Sequence, residues 1–406
     1  MKSFLRRISF ETDLLALTFM IWLYSVLRKE SNTPKPSLCF VLEGEGNLGS
    51  RALVETVISN LPSNTIFVAS ENKPILQLSN PGNEPLIIPH LYPNFRPTHF
   101  KALSKLASKI QSASHTFVIG ADNMDGAYSN SLSALLWNVA IASTSNRISA
   151  SILGFSWNKK PTDFANKRLI RAAKKGVILN VRDIYSFQRA KELCSADNIR
   201  QTSDIVFSLG NQNIESKITS SKKAANKQVL FVGNPGFTLA DDDFSPNILR
   251  NIFEAIGRDL KIIFVPSVIR PGQNDLIQQS RIFEAFHSDF EIELLRDIPS
   301  TRQYIDLASE SLLVVTFRMH PAILSLMAEV PVVMFDYQDK MRGLAADFGL
   351  LSLCVSTGDW ISDGAKAISQ CMEAQIEIRE AIRKALQHQK IRASLNWHTE
   401  VVGGAG

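Results

Sequence analysis

Residues Leu313 to Lys340, LVVTFRMHPAILSLMAEVPVVMFDYQDK, constrain the fold more than any other stretch of the chain. Leu313 to Thr316 is a short β-branched run that reads as a buried strand. Arg318, Met319 and His320 follow it directly. Pro321 suits a first helical position, and Ala322 to Ala328 then reads as a helix. Glu329 falls in the turn, and Pro331 to Phe335 makes a second buried strand closed by Asp336. Strand, loop, helix, strand is one βαβ unit, and in open α/β sheets ligands bind at the carboxyl ends of the strands. Arg318 and His320 lie at one such end and Asp336 at the next. A guanidinium and an imidazole beside a helix N-terminus build an anion site. The plainer alternative is a surface loop whose histidine is solvated.

Further βαβ signals run through the rest of the chain, and 406 residues exceed what one core holds, so two domains are expected. The formal net charge of +5 suits an acidic substrate or an anionic surface without demanding nucleic acid. The Lys and Arg residues are scattered, with no basic motif interleaved with aromatics, so no nucleic-acid partner is expected. Cys39, Cys194, Cys354 and Cys371 are far apart and match no metal spacing; they read as free thiols in a reducing, cytoplasmic compartment. There is no HExxH or histidine cluster, so no metal is expected.

The first 36 residues form a helix and a linker. Leu14 to Leu27 is apolar, with Lys2, Arg6 and Arg7 before it and Arg28 and Lys29 after it. At about fourteen residues it falls short of the roughly 20 needed to span a bilayer, and Glu11 and Asp13 stop it from extending backwards. Two readings are open: a helix packed on the first domain or on a partner subunit, and an interfacial helix at a membrane surface through residues 14–27. A signal anchor is the weaker third, and no small-residue cleavage site marks a secretory signal. The protein is therefore placed in the cytoplasm, with a peripheral membrane location open.

An N-terminal Rossmann-like domain is expected over residues 37–210. Ser37 to Leu42 reads as its first strand. Gly44, Gly46 and Gly49 then match GxGxxG ahead of a helix through Arg51 to Asn60. Thr65 to Ala69 is the next strand, with Glu71 where a dinucleotide fold keeps its ribose-binding acid. A glycine turn of this kind serves many phosphates and sugars. Thr116 to Ile119 ends in Gly120-Ala121-Asp122-Asn123-Met124-Asp125-Gly126, whose carboxylates suit sugar hydroxyls or a base, or equally turn closure. Val177 to Val181 ends in Arg182-Asp183. Residues 211–227 are polar and aperiodic and read as the linker. A C-terminal Rossmann-like domain with closing helices is expected over 228–406, with strands at Gln228 to Val232, Lys261 to Pro266, Glu291 to Leu295 and Leu351 to Val355.

Taken in order, these blocks resemble the polysaccharide pyruvyltransferase family. The resemblance is carried by Gly46-Asn47-Leu48-Gly49, then Gly120-Ala121-Asp122 with Asp125-Gly126 and Tyr128-Ser129, then Gly154-Phe155-Ser156. Val181-Arg182-Asp183 with Ser186, and Asp204 with Phe207, follow. Arg318-Met319-His320, Val330-Pro331-Val332 and Asp336-Tyr337 through Lys340 complete it. It spans about Leu38 to Gly343, and the Arg-x-His block is its most specific part. Ser50 stands where the family usually has an acid, and Ala328-Glu329 where its turn usually carries glycine.

The resemblance implies two Rossmann-like domains facing a cleft, a glycosyltransferase-B-like fold. It implies transfer of a pyruvyl group from phosphoenolpyruvate to a sugar or lipid-linked saccharide as a cyclic ketal, with no cofactor. Arg182 and Arg318 are the expected clamp on the donor's phosphate and carboxylate. His320 is the expected general acid, or a cation on the phosphate. Asp122, Asp125 and Asp183 are candidates for the base, with Asp183 also suited to buttress Arg182. Gly46, Asn47 and Gly49 line the substrate, and Lys340 and Arg342 are candidates for the leaving phosphate or for solvated charges. A nucleotide-sugar glycosyltransferase is the second reading, since that fold also pairs two such halves. A non-catalytic sugar-binding relative is the third.

Overall fold

Strands that are apolar on both faces belong in parallel sheets covered by helices, and the chain builds two of these. The computed structural model describes residues 2–27, 34–41, 46–70, 85–210, 227–233, 249–336, 339–356 and 360–400. Gly44, Glu71, residues 211–226 of the expected linker and Tyr337 lie outside the described residues. Two compact units form, neither a continuous stretch: Met1–Glu43 with Val57–Ile205 and Ile391–Gly406, and Gly44–Thr56 with Val206–Lys390.

The first unit holds α1 (Lys2–Leu27), β1 (Leu38–Phe40), β2 (Ile66–Ala69), β3 (Leu86–Ile87), α3 (Pro97–Gln111) and β4 (His115–Ala121). It continues with α4 (Asn130–Ser145), β5 (Ser149–Phe155), α5 (Asp163–Lys174), β6 (Ile178–Val181), α6 (Ile184–Leu193) and β7 (Ile199–Gln201). Helix α2 (Leu48–Asn60) starts in the second unit and ends in the first. The sheet is all parallel, in the order β3-β2-β1-β4-β5-β6-β7. Ser129, Thr162 and Asp183 cap α4, α5 and α6 with their side-chain oxygens, each satisfying an orphan N–H of a first turn. Trp137, Phe155 and Trp157 pack edge to face in the core.

The N-terminal helix corrects the sequence reading. Helix α1 runs unbroken from Lys2 to Leu27, and its apolar part, Ile8–Leu27, passes through Glu11 and Asp13 and is long enough by length and composition to cross a bilayer, where the sequence suggested about fourteen residues. Both carboxylates are matched. Asp13 meets His99 Nε2 at 2.9 Å, and Glu11 meets Arg168 and Arg171 at 3.1 Å each.

The second unit contains β8 (Gln228–Val232), β9 (Lys261–Val265), β10 (Ile269–Arg270), β11 (Gln273–Asn274), β12 (Ile292–Leu294), β13 (Leu313–Thr316), β14 (Val332–Asp336) and β15 (Cys354–Ser356). Its main sheet is parallel, in the order β12-β9-β8-β13-β14-β15. Both sheets therefore reverse direction of growth beside their first strand, between β1 and β4 and between β8 and β13. Such a reversal is where Rossmann-type sheets bind ligands. Phe231, Phe253, Phe264, Phe286 and Phe317 fill the core, and Phe317 stacks on Phe335 at 4.7 Å. Leu351 to Val355, expected as one strand, is a 3₁₀ turn over Leu351–Leu353 followed by β15, because Leu353 N–H bonds back to the Leu350 carbonyl.

Candidate functional site

In the second unit Arg318 stands at the reversal point. The Thr316 hydroxyl accepts the Arg318 N–H at 3.0 Å and turns the chain out of β13. Arg318 then crosses toward the end of β8, where a Cβ on Gly233 would lie 2.7 Å from its Cγ. Its Nη2 donates to Asp275 Oδ1 at 2.6 Å, and the Asp275 side chain is completely buried while that of Arg318 keeps 12% exposure. The other carboxylate oxygen of Asp275 accepts the Ser267 and Val268 N–H groups, both at 2.9 Å. Gln279 Nε2 donates to the Gly233 and Val265 carbonyls, tying the ends of β8 and β9 together.

The loop that Asp275 holds in turn holds the glycine turn. Leu48 N–H bonds the Ser267 carbonyl at 2.9 Å, Ile269 N–H bonds the Gly46 carbonyl at 2.8 Å, and Asn47 forms a β-bridge with Val268. Gly46 has φ +67°, and a Cβ there would sit 2.4 Å from the Ile269 carbonyl oxygen, so only glycine fits. Asn47 Oδ1 accepts the Gly49 and Ser50 N–H groups at 2.9 and 3.2 Å and caps α2. Gly49 lies against His320: a Cβ would meet Nδ1 at 2.4 Å. The helix of His320 begins at Met319 rather than Pro321, which puts His320 in its first turn and Pro321 third. That turn has no side-chain cap. Gly46, Asn47, Gly49, Arg318 and His320, expected from separate blocks, thus share one corner of one unit.

The residue that joins them, Asp275, reads in the sequence only as a loop residue after the Lys261 to Pro266 strand, and in the structure it opens the helix Asp275–Phe286. Asn274 accepts the Leu276 N–H at 3.0 Å, so Asn274-Asp275 is a legible helix start. Nothing local marks Arg318 as its partner.

In the first unit Asp122, Ser156, Arg182 and Asp204 follow the ends of β4 to β7, four adjacent strands. Arg182 donates from Nη1 to Asp204 at 2.7 Å and from Nε to Ser156 Oγ at 2.8 Å, and its side chain has no exposure. Burial pushes the guanidinium pKa down, but Asp204, Asp122 and Asp183 together outweigh this and hold it above its ordinary value. Asp183 accepts the Ser186 N–H at 2.8 Å as the cap of α6, and the Ser156 hydroxyl donates to it at 3.3 Å. Asp125 is buried and accepts the Ala127 N–H at 2.9 Å, which closes the turn. Asp122 alone of the three carboxylates is half-buried. Ala121, just before it, takes the left-handed φ of +47°, a strained conformation for a residue with a side chain.

A family model described as polysaccharide pyruvyl transferase matches residues 64–339. The chain belongs to that family. The match includes Asp122, Asp125, Arg182, Asp183, Arg318 and His320; the glycine turn precedes it, and Lys340 and Arg342 follow it. A search of curated protein sequences found no match. Among solved structures, the UDP-GlcNAc 2-epimerase of Neisseria meningitidis bound to UDP-GlcNAc aligns with a TM-score of 0.58 and 11% identity, over 88% of this chain and 97% of that one. The Anabaena protein HepE in complex with UDP and glucose aligns at 0.57 and 11%, over 89% and 97%. A glycosyltransferase from Rickettsia africae aligns at 0.55 and 13%, over 90% and 96%. At such identities the likeness is one of fold, and it is the glycosyltransferase-B fold.

Glu329 occupies the turn where the sequence resemblance leads to an expectation of glycine. Its φ is +57°, a left-handed value that glycine adopts without strain. Here the conformation is held from outside the turn: Arg379 Nη1 donates to the Glu329 carbonyl at 2.9 Å, and Arg383 Nε pairs with its carboxylate at 3.0 Å. Ser50, the other departure, has its N–H in the Asn47 cap. Beyond β14, Asp336 accepts the Arg342 N–H at 3.1 Å; the Arg342 side chain is exposed and that of Lys340 half-buried.

Proposed function

We propose that this family member transfers a pyruvyl group from phosphoenolpyruvate to a saccharide, forming a ketal, and that the donor anion binds in the second unit. The observation that carries this reading is the placement of Arg318 and His320 around an uncapped helix start, both fixed by a buried carboxylate and a glycine turn. A guanidinium and helix amides suit a phosphate or a carboxylate. Asp275 accepts from Arg318 Nη2, and the Arg318 stem packs on Gly233.

His320 is the candidate acid. Protonation of the donor's methylene carbon makes its neighbour oxocarbenium-like. A sugar hydroxyl adds there and loses its proton, the carbon–oxygen bond to phosphate breaks, and inorganic phosphate leaves. A second hydroxyl adds, loses its proton and closes the ketal, so the products are ketal and phosphate. Arg182, enclosed by its own unit's carboxylates, is a positioning residue that holds Ser156 and Asp204, and Ser156 in turn holds Asp183. Asp122 is the carboxylate most available to an acceptor hydroxyl. Lys340 and Arg342 are candidates for the departing phosphate.

The uridine nucleotides bound by the Neisseria epimerase and by HepE favour a second reading, a nucleotide-sugar transferase. Thermal shift separates the two, because a ligand that binds only the folded state raises its melting temperature. Phosphoenolpyruvate stabilises the protein on the first reading and UDP on the second. The deciding assay is acceptor-dependent phosphate release from phosphoenolpyruvate with hexose glycosides and lipid-linked sugars, together with the mass gain of a pyruvate ketal. No release and no shift by phosphoenolpyruvate would remove the first reading.

A further inference from the structure

Helix α1 has two apolar faces, and the first unit uses one of them. Phe10, Leu14, Leu17 and Ile21 are buried. The helix is also pinned by hydrogen bonds along its length. Asn138 Nδ2 and Arg168 Nη2 donate to the Phe10 carbonyl, each at 3.1 Å, and Asn146 Nδ2 donates to the Thr18 carbonyl at 3.1 Å. His99 meets Asp13, and the Tyr24 and Ser104 hydroxyls are 2.9 Å apart. The second face is bare. Ile8, Leu15, Phe19, Trp22 and Val26 recur at helical spacing with exposures from 41% to 63%. The Phe19 and Trp22 rings lie 5.7 Å apart. A contiguous apolar stripe of this kind marks an interaction surface.

Charge identifies what the stripe meets. Its one acid, Glu11, is neutralised by Arg168 and Arg171. Helices α3 and α4, on which α1 packs, contain no Asp or Glu. Lys101 and Lys105 on α3 and Arg147 after α4 are exposed. At the N-terminal end of the stripe Glu11, Phe164, Lys167, Arg168 and Arg171 line a cavity of about 280 Å³. Arg168 is 1% exposed, and its Nε and Nη1 have no hydrogen-bond partner. Lys167, Arg168 and Arg171 outnumber the one carboxylate there, so this end of the helix carries a net positive charge. The sequence adds Arg28 and Lys29 beyond the other end of the stripe.

We propose that α1 docks this protein on an anionic membrane surface, lying in the headgroup plane with the Ile8-to-Val26 stripe inserted and the exposed Lys101, Lys105 and Lys167 meeting headgroup phosphates. Ile8–Leu27 is long and apolar enough to cross a bilayer by length and composition. A helix pinned to its own domain from Phe10 to Tyr24 lies on a membrane instead. A second copy on the same face would bring two cationic layers together, which like-charge repulsion opposes.

The test is co-sedimentation of the full-length protein with vesicles of phosphatidylcholine alone and with one-third phosphatidylglycerol, alongside light scattering without lipid. Binding to the anionic vesicles is expected, with a blue shift of Trp22 emission that Trp22→Phe removes. The double variant Phe19→Ser/Trp22→Ser, altered only at exposed positions, should bind at least about tenfold less with an unchanged melting temperature. Lys167→Glu should weaken binding to the anionic vesicles and leave the weaker neutral-vesicle binding alone. The proposal is overturned if the wild type stays in the supernatant with anionic vesicles, if it binds neutral and anionic vesicles equally, or if it is a lipid-free dimer that the double variant dissolves.

Discussion

Asp275 holds Arg318 with one carboxylate oxygen and the Ser267–Val268 backbone with the other, so a single buried side chain sets both a cation and the loop beneath the Gly46–Asn47 turn. Asp275→Ala removes one partner of a nearly buried pair and is expected to cost about 3–5 kcal/mol. Asp275→Asn keeps the shape and should cost less, about 1–3 kcal/mol, while still lowering activity because Arg318 loses its charge partner. Urea unfolding reads the first effect, and acceptor-dependent phosphate release the second.

His320→Ala is expected to lower turnover by a factor on the order of 10² to 10⁴, the usual size for an acid–base group, with the melting temperature little changed. An unchanged rate would remove His320 from the mechanism.

Gly49→Ala tests the same histidine by displacement. The new methyl would meet Nδ1 at 2.4 Å and must push the ring away. Misplacement by about 1 Å costs on the order of 10²-fold in rate, so turnover should fall far more than thermal stability does.

Stability should fall in mild acid, and His115 is the cause. Burial holds its pKa down at about 4, so the folded state keeps it neutral where the unfolded chain protonates it. The stabilisation is complete above the unfolded value near 6.5 and is lost as pH falls toward about 4, amounting to roughly 3 kcal/mol in the limit. His115→Asn should flatten melting temperature against pH in that window. His99 acts oppositely. Burial lowers its pKa, but the Asp13 and His90 oxygens outweigh that and raise it overall, so its contribution fades as pH rises through the folded value.

Glu329→Gly exchanges a strained left-handed glutamate and its Arg383 pair for an unstrained glycine. The pair is half-exposed and worth little, and the relief is of similar size, so stability should stay within about 1 kcal/mol. Unchanged activity in the release assay would show that this departure from the family turn is neutral.

Much of this was legible in the sequence because local patterning carries it. Short apolar runs followed by helical spacing predict the parallel strands, and the Arg318-x-His320 block, sitting after a β-branched strand, marks the strand end that a ligand would use. The position of helix starts was less legible: Pro321 suggested a beginning that the Thr316 turn sets two residues earlier. Tertiary structure decided the rest. Arg182 reads in the sequence as one half of an anion clamp, yet three adjacent strand ends enclose it with Ser156, Asp183 and Asp204. Glu11 and Asp13 read as the end of the apolar run until Arg168, Arg171 and His99 pair with them. Glu329 reads as a defect until Arg379 and Arg383 hold it. In each case the deciding energy is a charge pair or a close packing contact between residues far apart along the chain. A periodic pattern records which face of an element is buried, but not which partner meets it there.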